Sequence, residues 1–229
     1  METTFPHIDH MALTDKVYAV LREKILLREL KSGEKVHIDE IASQLGVSRT
    51  PVKDAVNRLA LEGLVEKVAR RGTFVTELTL RDVAELFDLR LLLETYAAKN
   101  ILETNRTEPL LAEMKTCLTY MQRAIDGDEY LDYEGFMAWD RDLHLCLIKL
   151  ADNRQLLQTY QGLNIHIQIA RAHYLRSVEG ALQAQQEHKA IYEAFQSGDV
   201  EQVNEALSTH VNNVKTGVLK SLKLGNTQL

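Results

Sequence analysis

Apolar side chains recur every three or four residues along most of this chain, the spacing of helices that bury one face. The first such stretch predicts a helix over Leu13 to Leu30, with Val17, Val20, Leu21, Ile25 and Leu27 on the buried side and Lys31-Ser-Gly-Glu34 ending it. A second, Ile38 to Leu45, places Ile38, Ile41, Ala42 and Leu45 on one face, and Gly46-Val47 then breaks it. Ser48 is positioned to cap a third helix, Pro51 falls in its first turn where a missing N–H does no harm, and Val52, Ala55, Val56, Leu59 and Ala60 form its apolar stripe. The periodicity then stops. Val65 to Val68 and Thr73 to Thr76 are short β-prone runs joined by Ala69-Arg70-Arg71-Gly72, which predicts a hairpin with a basic tip. Residues 1–76 therefore read as a winged helix-turn-helix.

After the very short connection Glu77-Leu78, six helical stretches follow with no convincing strand: about Leu80–Glu103, Glu108–Ile125, Glu129–Leu150, Arg154–Ser177, Gly180–Gln196 and Val200–Lys223. Turn-forming residues mark their joints, at Thr104-Asn105, Asp126-Gly127-Asp128, Asp152-Asn153 and Ser197-Gly198-Asp199. The expected architecture is mainly α: a small winged head over 1–76 and an all-α antiparallel bundle over 77–229.

Composition changes the picture in one respect. The net charge of −6 is an odd prior for a DNA binder, but it is unevenly distributed: residues 1–76 sum to +1 and residues 77–229 to −7. The head is free to bind nucleic acid through a local basic edge while the acidic body discourages nonspecific adhesion. Hydrophobic content of 45% suits a packed protein. No apolar run approaches the roughly 20 residues that span a bilayer, and Met1 to His10 lacks the basic start and apolar core of a signal peptide, so a cytoplasmic protein is expected. Cys117 and Cys146 have neither metal-type spacing nor a redox motif and are expected as reduced core residues.

The head's exposed polar residues suggest its chemistry. A recognition helix offers its N-terminal side chains to major-groove base edges, and cations nearby hold phosphates. Arg49, Thr50, Lys53 and Arg58 form that polar set, with Arg49 as the first candidate for a base contact and Arg58 for the backbone. Arg70, Arg71 and Gly72 at the hairpin tip suit the minor groove or a phosphate.

In the bundle, Asp140 and His144 lie four apart on one helical face, while His188 and His210 occur among apolar residues at helical spacing. One carboxylate and three imidazoles facing inward suit a divalent cation such as zinc or nickel with positions left open. From the residues alone, ordinary hydrogen-bonded core histidines are the commoner reading of such positions.

Gly46-Val-Ser-Arg-Thr-Pro-Val-Lys-Asp-Ala-Val56, Arg58-Leu59, Glu62-Gly-Leu-Val65 and Arg70-Arg-Gly-Thr-Phe-Val75 resemble the DNA-binding half of GntR-type bacterial transcriptional regulators. Two positions depart from that pattern, Lys53 where the family commonly has Arg and Asp54 where it has Glu. Lys lacks the planar fork for bidentate pairing, so a phosphate contact suits Lys53 better than a base contact. Asp140-Arg-Asp-Leu-His144, Glu187-His188 followed by Gly198-Asp199, and His210 resemble the metal-binding pattern of the FCD domain in the FadR branch, and six helices resemble its VanR-type subgroup. The resemblance implies that Asp140, His144, His188 and His210 hold a metal at the floor of a pocket for a small effector, often a carboxylic acid. Arg90, in an otherwise apolar face beside Phe87, Leu91 and Glu94, is then the first candidate to pair with that acid, unless it simply pairs with Glu94; Arg171 and His166 are further candidates. The implied mechanism is a homodimer reading a pseudo-palindromic operator, with repression relieved by the effector. A metal sensor and a metal-dependent hydrolase fused to a DNA-binding head are the alternatives. Glu187 does not serve as a general base in this reading, because its place beside His188 turns it elsewhere on the helix.

Overall fold

The structure, a computed structural model, describes residues 10–26, 29–175 and 177–225; Leu27 lies outside them, as do Met1 to Asp9. The chain divides into two compact units between Leu78 and Thr79. The first contains α1 (His10–Leu26), α2 (Ile38–Leu45), α3 (Arg49–Leu61), β1 (Val65–Val68) and β2 (Gly72–Val75). Helix α2 ends at Gly46, whose φ of 65° is left-handed and lets its N–H reach the Ala42 and Ser43 carbonyls. Ser48 occupies the N-cap position of α3 with extended backbone, but its hydroxyl makes no capping bond.

β1 and β2 pair antiparallel from Val65 opposite Val75 to Val68 opposite Gly72. Residues 33–36 run beside β2, with Val36 N–H donating to Thr73 O and Val75 N–H to Glu34 O, each at 2.8 Å. The core of this unit is Val17, Leu21, Ile25, Val36, Ala42, Val52, Ala55, Val56, Leu59, Leu64, Val65 and Val75. At roughly 1.5–3 kcal/mol for each large aliphatic side chain buried, that set is what holds a unit of this size together.

The second unit contains α4 (Leu80–Glu103), α5 (Thr107–Arg123), α6 (Tyr133–Leu150), α7 (Arg154–Tyr174), α8 (Val178–Ser197) and α9 (Val200–Gly225). Its helix starts are set by side chains: Thr79 and Asp82 form a reciprocal capping box, and Asp132, Asn153 and Ser177 accept from the first-turn N–H groups of α6, α7 and α8. Helix α4 packs on α9, α7 and α6, α5 on α6 and α8, and α8 on α9.

One element differs from expectation. Ile125–Asp126 (β3) and Glu129–Tyr130 (β4) pair as a hairpin turning at Gly127, whose φ is 56°, so α6 begins at Tyr133 rather than Glu129. Two-residue strands are too short to display a period-2 pattern, which is why the sequence showed only a turn there. The Tyr130 hydroxyl donates to Leu175 O, tying the hairpin to the end of α7.

Candidate functional site

Two sites emerge, one in each unit. In the first, Arg49, Thr50 and Lys53 are exposed along the start of α3, and Arg70, Arg71 and Gly72 are exposed at the hairpin tip. Arg70 (φ 64°) and Gly72 (φ 118°) give the tip its tight left-handed path, and the Arg71 guanidinium lies over the Phe74 ring at 5.6 Å. The Arg49 Nε lies 2.7 Å from Asp39 Oδ1, with both side chains about 70% exposed. Such a pair contributes little and is easily exchanged.

Arg58 is placed differently. It bonds Asp15 at 3.0 Å, lies 3.5 Å from Glu62, and covers the Tyr18 ring at 3.8 Å. The Tyr18 hydroxyl donates to Glu62 at 2.6 Å, and burial together with that carboxylate pushes its pKa up to about 12. Arg58 thus anchors α3 to α1, and a phosphate would have to compete with that cluster.

In the second unit, five helices deliver polar side chains to one buried point: Arg90 and Glu94 from α4, Asp140 and His144 from α6, Tyr160 and Arg171 from α7, His188 from α8 and His210 from α9. All eight are buried in a bundle whose remaining interior is mainly apolar, with Gln168 and Gln185 as the other buried polar side chains among the described residues. His188 Nε2 lies 3.1 Å from His144 Nε2 and 3.2 Å from His210 Nε2. Two nitrogens bound to one metal at about 2.0–2.1 Å stand about 3.0–3.4 Å apart, so the spacing is that of ligands to a shared ion.

Protonation strengthens this fit. Burial, and the positive charge of Arg90 behind it, hold His144 well below its usual pKa; burial and His210 do the same for His188; burial, Arg90 and Arg171 bring His210 down to about 3. All three rings are therefore neutral at pH 7, each with one N–H and one lone pair. His210 Nδ1 lies 2.9 Å from Glu187 Oε2, which fixes its proton there and leaves its Nε2 a bare acceptor. His188 Nε2, with one proton at most, cannot satisfy both neighbours. One of the two short contacts then lacks a hydrogen bond of its own, and a cation between the rings would let all three nitrogens offer lone pairs instead.

Asp140 stands beside this triad. Its Oδ1 is 3.7 Å from His188 Nε2 and accepts from Arg171 Nη2 at 2.6 Å, while its Oδ2 is buried without a partner. Burial alone would raise its pKa, but the Arg171 guanidinium holds it far below the usual carboxylate range. The three imidazoles thus meet directly, with the carboxylate alongside them and shared with an arginine.

Arg90 pairs with Glu94, one of its two sequence-based readings. Its Nε donates to Glu94 Oε1 at 2.7 Å, and Glu94 in turn accepts from the Tyr160 hydroxyl at 2.8 Å. Its Nη1 and Nη2 nevertheless have no hydrogen-bond partner, nor does Arg171 Nε. Glu94 raises the Arg90 pKa against the effect of burial, so the cation persists. His166, on α7, is partly exposed.

Glu187 has partners that its position in the sequence did not reveal. It does point away from His188, but onto α9, where it holds His210 and also accepts from Asn213 Nδ2 at 2.8 Å. Glu94 Oε2 faces His144 Nδ1 at 3.3 Å without hydrogen-bond alignment. Tyr160 and Asn213 carried no sequence signal, because their partners lie on other helices. The two cysteines are buried and free.

Residues 85–213 match the FCD domain and residues 13–75 match the bacterial regulatory proteins of the gntR family. The chain belongs to that family, in its FCD-bearing branch. It is accordingly a DNA-binding transcriptional regulator. Among relatives, it is 29% identical to a probable D-xylose utilization operon transcriptional repressor of Paenarthrobacter nicotinovorans, over 92% of this chain and 91% of that protein. Its fold is similar to that of McbR/YncC from E. coli, with a TM-score of 0.72, 21% identity, and coverage of 91% of this chain and 97% of the other. A structure described as a metal-free FCD domain of another transcriptional regulator aligns with a TM-score of 0.53 and 21% identity, covering 65% of this chain and 99% of that one. No helix among the described residues is long and apolar enough to cross a membrane.

Proposed function

We propose that the protein is a homodimeric repressor whose affinity for a pseudo-palindromic operator is lowered by a small carboxylic acid bound at a metal-containing pocket in the α4–α9 unit. The observation that carries this reading is the group of unsatisfied donors beside the triad: Arg90 Nη1 and Nη2 and Arg171 Nε, all buried and unpartnered. Leaving a charged donor buried and unpaired costs several kcal/mol, and an organic carboxylate supplies the missing acceptors in bidentate form.

His144, His188 and His210 would hold the metal, with Asp140 adjacent, and neutral imidazoles with a carboxylate suit zinc or nickel. The ion supplies a positive centre that attracts a carboxylate oxygen. Glu187, by accepting the His210 Nδ1 proton, keeps that ring's Nε2 turned to the ion. Arg90 and Arg171 orient the acid. On the DNA side, Arg49 and Thr50 read bases, Lys53 takes a phosphate, and Arg70 and Arg71 with Gly72 enter the neighbouring minor groove.

The test is elemental analysis of the untagged protein with native mass spectrometry of the intact assembly. About one divalent metal per chain, with loss of that metal in His188→Ala, supports the reading. A metal-free wild type, or a full metal complement in the variant, refutes the pocket while leaving the DNA-binding assignment intact.

A further inference from the structure

Residues 33–36, which lie against β2, bring a lysine onto the wing. Glu34 O and Val36 N–H bond the β2 backbone on either side of Lys35, and Lys35 itself pairs antiparallel with Phe74. Val36 is buried, so alternation along this segment sends Lys35 to the opposite face, the one that carries Phe74 and Gly72 of β2. The lysine is thereby held on the outer face of the hairpin, one strand away from β2.

The path of that side chain gives Gly72 a purpose. A Cβ at position 72 would stand 2.9 Å from the Lys35 Cε and 3.6 Å from its Nζ, and the first distance is shorter than non-bonded carbons approach. The Lys35 stem therefore crosses the bare backbone of Gly72. Its ammonium reaches the level of the tip, where Arg70 and Arg71 immediately precede that glycine.

The ammonium has no partner to give up. Arg49 and Arg58 pair with carboxylates and Lys67 donates to Asn57, whereas Lys35 is exposed and makes no ion pair or hydrogen bond among the described residues. Glu66 shares the outer face from β1, opposite Phe74. Two strand spacings, roughly 10 Å in all, separate it from Lys35, and at that distance solvent and salt screen the pair.

We infer that Lys35 contacts DNA: its ammonium binds a backbone phosphate beside the groove that the wing enters, and Gly72 is a glycine in order to let it pass. Lysine is a compact point charge without the planar fork that reads a base edge, so the contact is to phosphate and is alike for every sequence. This rests on the wing reading above. It adds to the tip a third cation, drawn from a segment outside the hairpin.

Fluorescence anisotropy of the full chain with a random-sequence duplex of about 30 base pairs, between about 50 and 200 mM NaCl, tests it. Lys35→Ala should weaken binding roughly fivefold at about 0.1 M salt and reduce the slope of log K against log salt by about 0.9 for each head on the DNA. Lys35→Arg should keep the wild-type slope. Lys115→Ala, which removes an exposed cation from the other unit, should keep it too, so the loss is not one of net charge. Gly72→Ala should lower the slope, because its Cβ displaces the flexible end of Lys35, and should lower it no further in Lys35→Ala. The φ of 118° strains an alanine in both backgrounds, and thermal midpoints read that cost separately. If Gly72→Ala does not fold, the Lys35 variants, altered only at an exposed side chain, still decide. A wild-type slope in Lys35→Ala with a reduced one in Arg71→Ala overturns the inference and leaves the wing reading standing, whereas wild-type slopes in both overturn the two together. Lys35→Arg as weak as Lys35→Ala overturns the point-charge contact, and a Gly72→Ala loss undiminished in Lys35→Ala overturns the role of Gly72.

Discussion

At residue scale, the buried cluster behaves as a network whose members cannot be removed singly without exposing another's charge. Tyr160→Phe takes a donor from Glu94 and should lower stability by about 1.5–3 kcal/mol, read from the urea midpoint at unchanged m-value. A loss below half a kcal/mol would mean that Arg90 alone suffices for that carboxylate. On the DNA side, Arg49→Ala should reduce discrimination between operator and random DNA by about 1–3 kcal/mol. Arg71→Ala should instead lower affinity for all sequences and flatten the salt dependence by roughly one phosphate contact. Titrations of both variants at two or three salt concentrations decide the matter, and equal losses on operator and random DNA for Arg49→Ala would remove it from the base-reading set.

At the scale of elements, α3 is held to the head by its buried Val52, Ala55, Val56 and Leu59 and by the Arg58 cluster with Asp15, Glu62 and Tyr18. Arg58→Ala should therefore loosen the contact between α1 and α3 and lower the thermal midpoint of the head, with effects on DNA that track stability rather than sequence. The turn before α3 depends on Gly46, where a side chain meets no neighbour but a φ of 65° is strained for any other L-residue except Asn. Gly46→Ala should cost about 1 kcal/mol, whereas Gly46→Asn should be milder; equal stability of Ala and wild type would contradict the left-handed backbone there.

At the scale of the molecule, acid should destabilise the metal-stripped α4–α9 unit. Above about pH 6.5 the three site histidines are neutral in both folded and unfolded chains. As pH falls below that, the unfolded chain takes up protons that the folded rings refuse, His210 down to about pH 3, so folding stability declines throughout the interval. Bound metal should raise the midpoint at pH 7.5 and widen the difference between pH 7.5 and 5, because protons then compete with the ion as well. Urea midpoints of the chelator-treated protein that do not change between these pH values would show the histidines to be solvated.

Much of this organisation is legible in the sequence because it is written in local periodicities: the helices, the break at Gly46-Val47, the basic start of α3, the basic hairpin tip, and the i,i+4 placement of Asp140 and His144. Family resemblance added the expectation of a metal ligand set and of a pocket for an acid, which spacing alone left open against ordinary core histidines. The tertiary structure decided what depends on neighbours remote in the chain. It brought His188 Nε2 to within hydrogen-bonding distance of the Nε2 atoms of both His144 and His210, drew Asp140 to Arg171, turned Glu187 onto His210, and left two arginines with unpaired nitrogens. A one-dimensional pattern fixes which face of a helix is buried, since that follows from its 3.6-residue turn; it does not fix the partner on the next helix, because packing, not sequence separation, sets that distance.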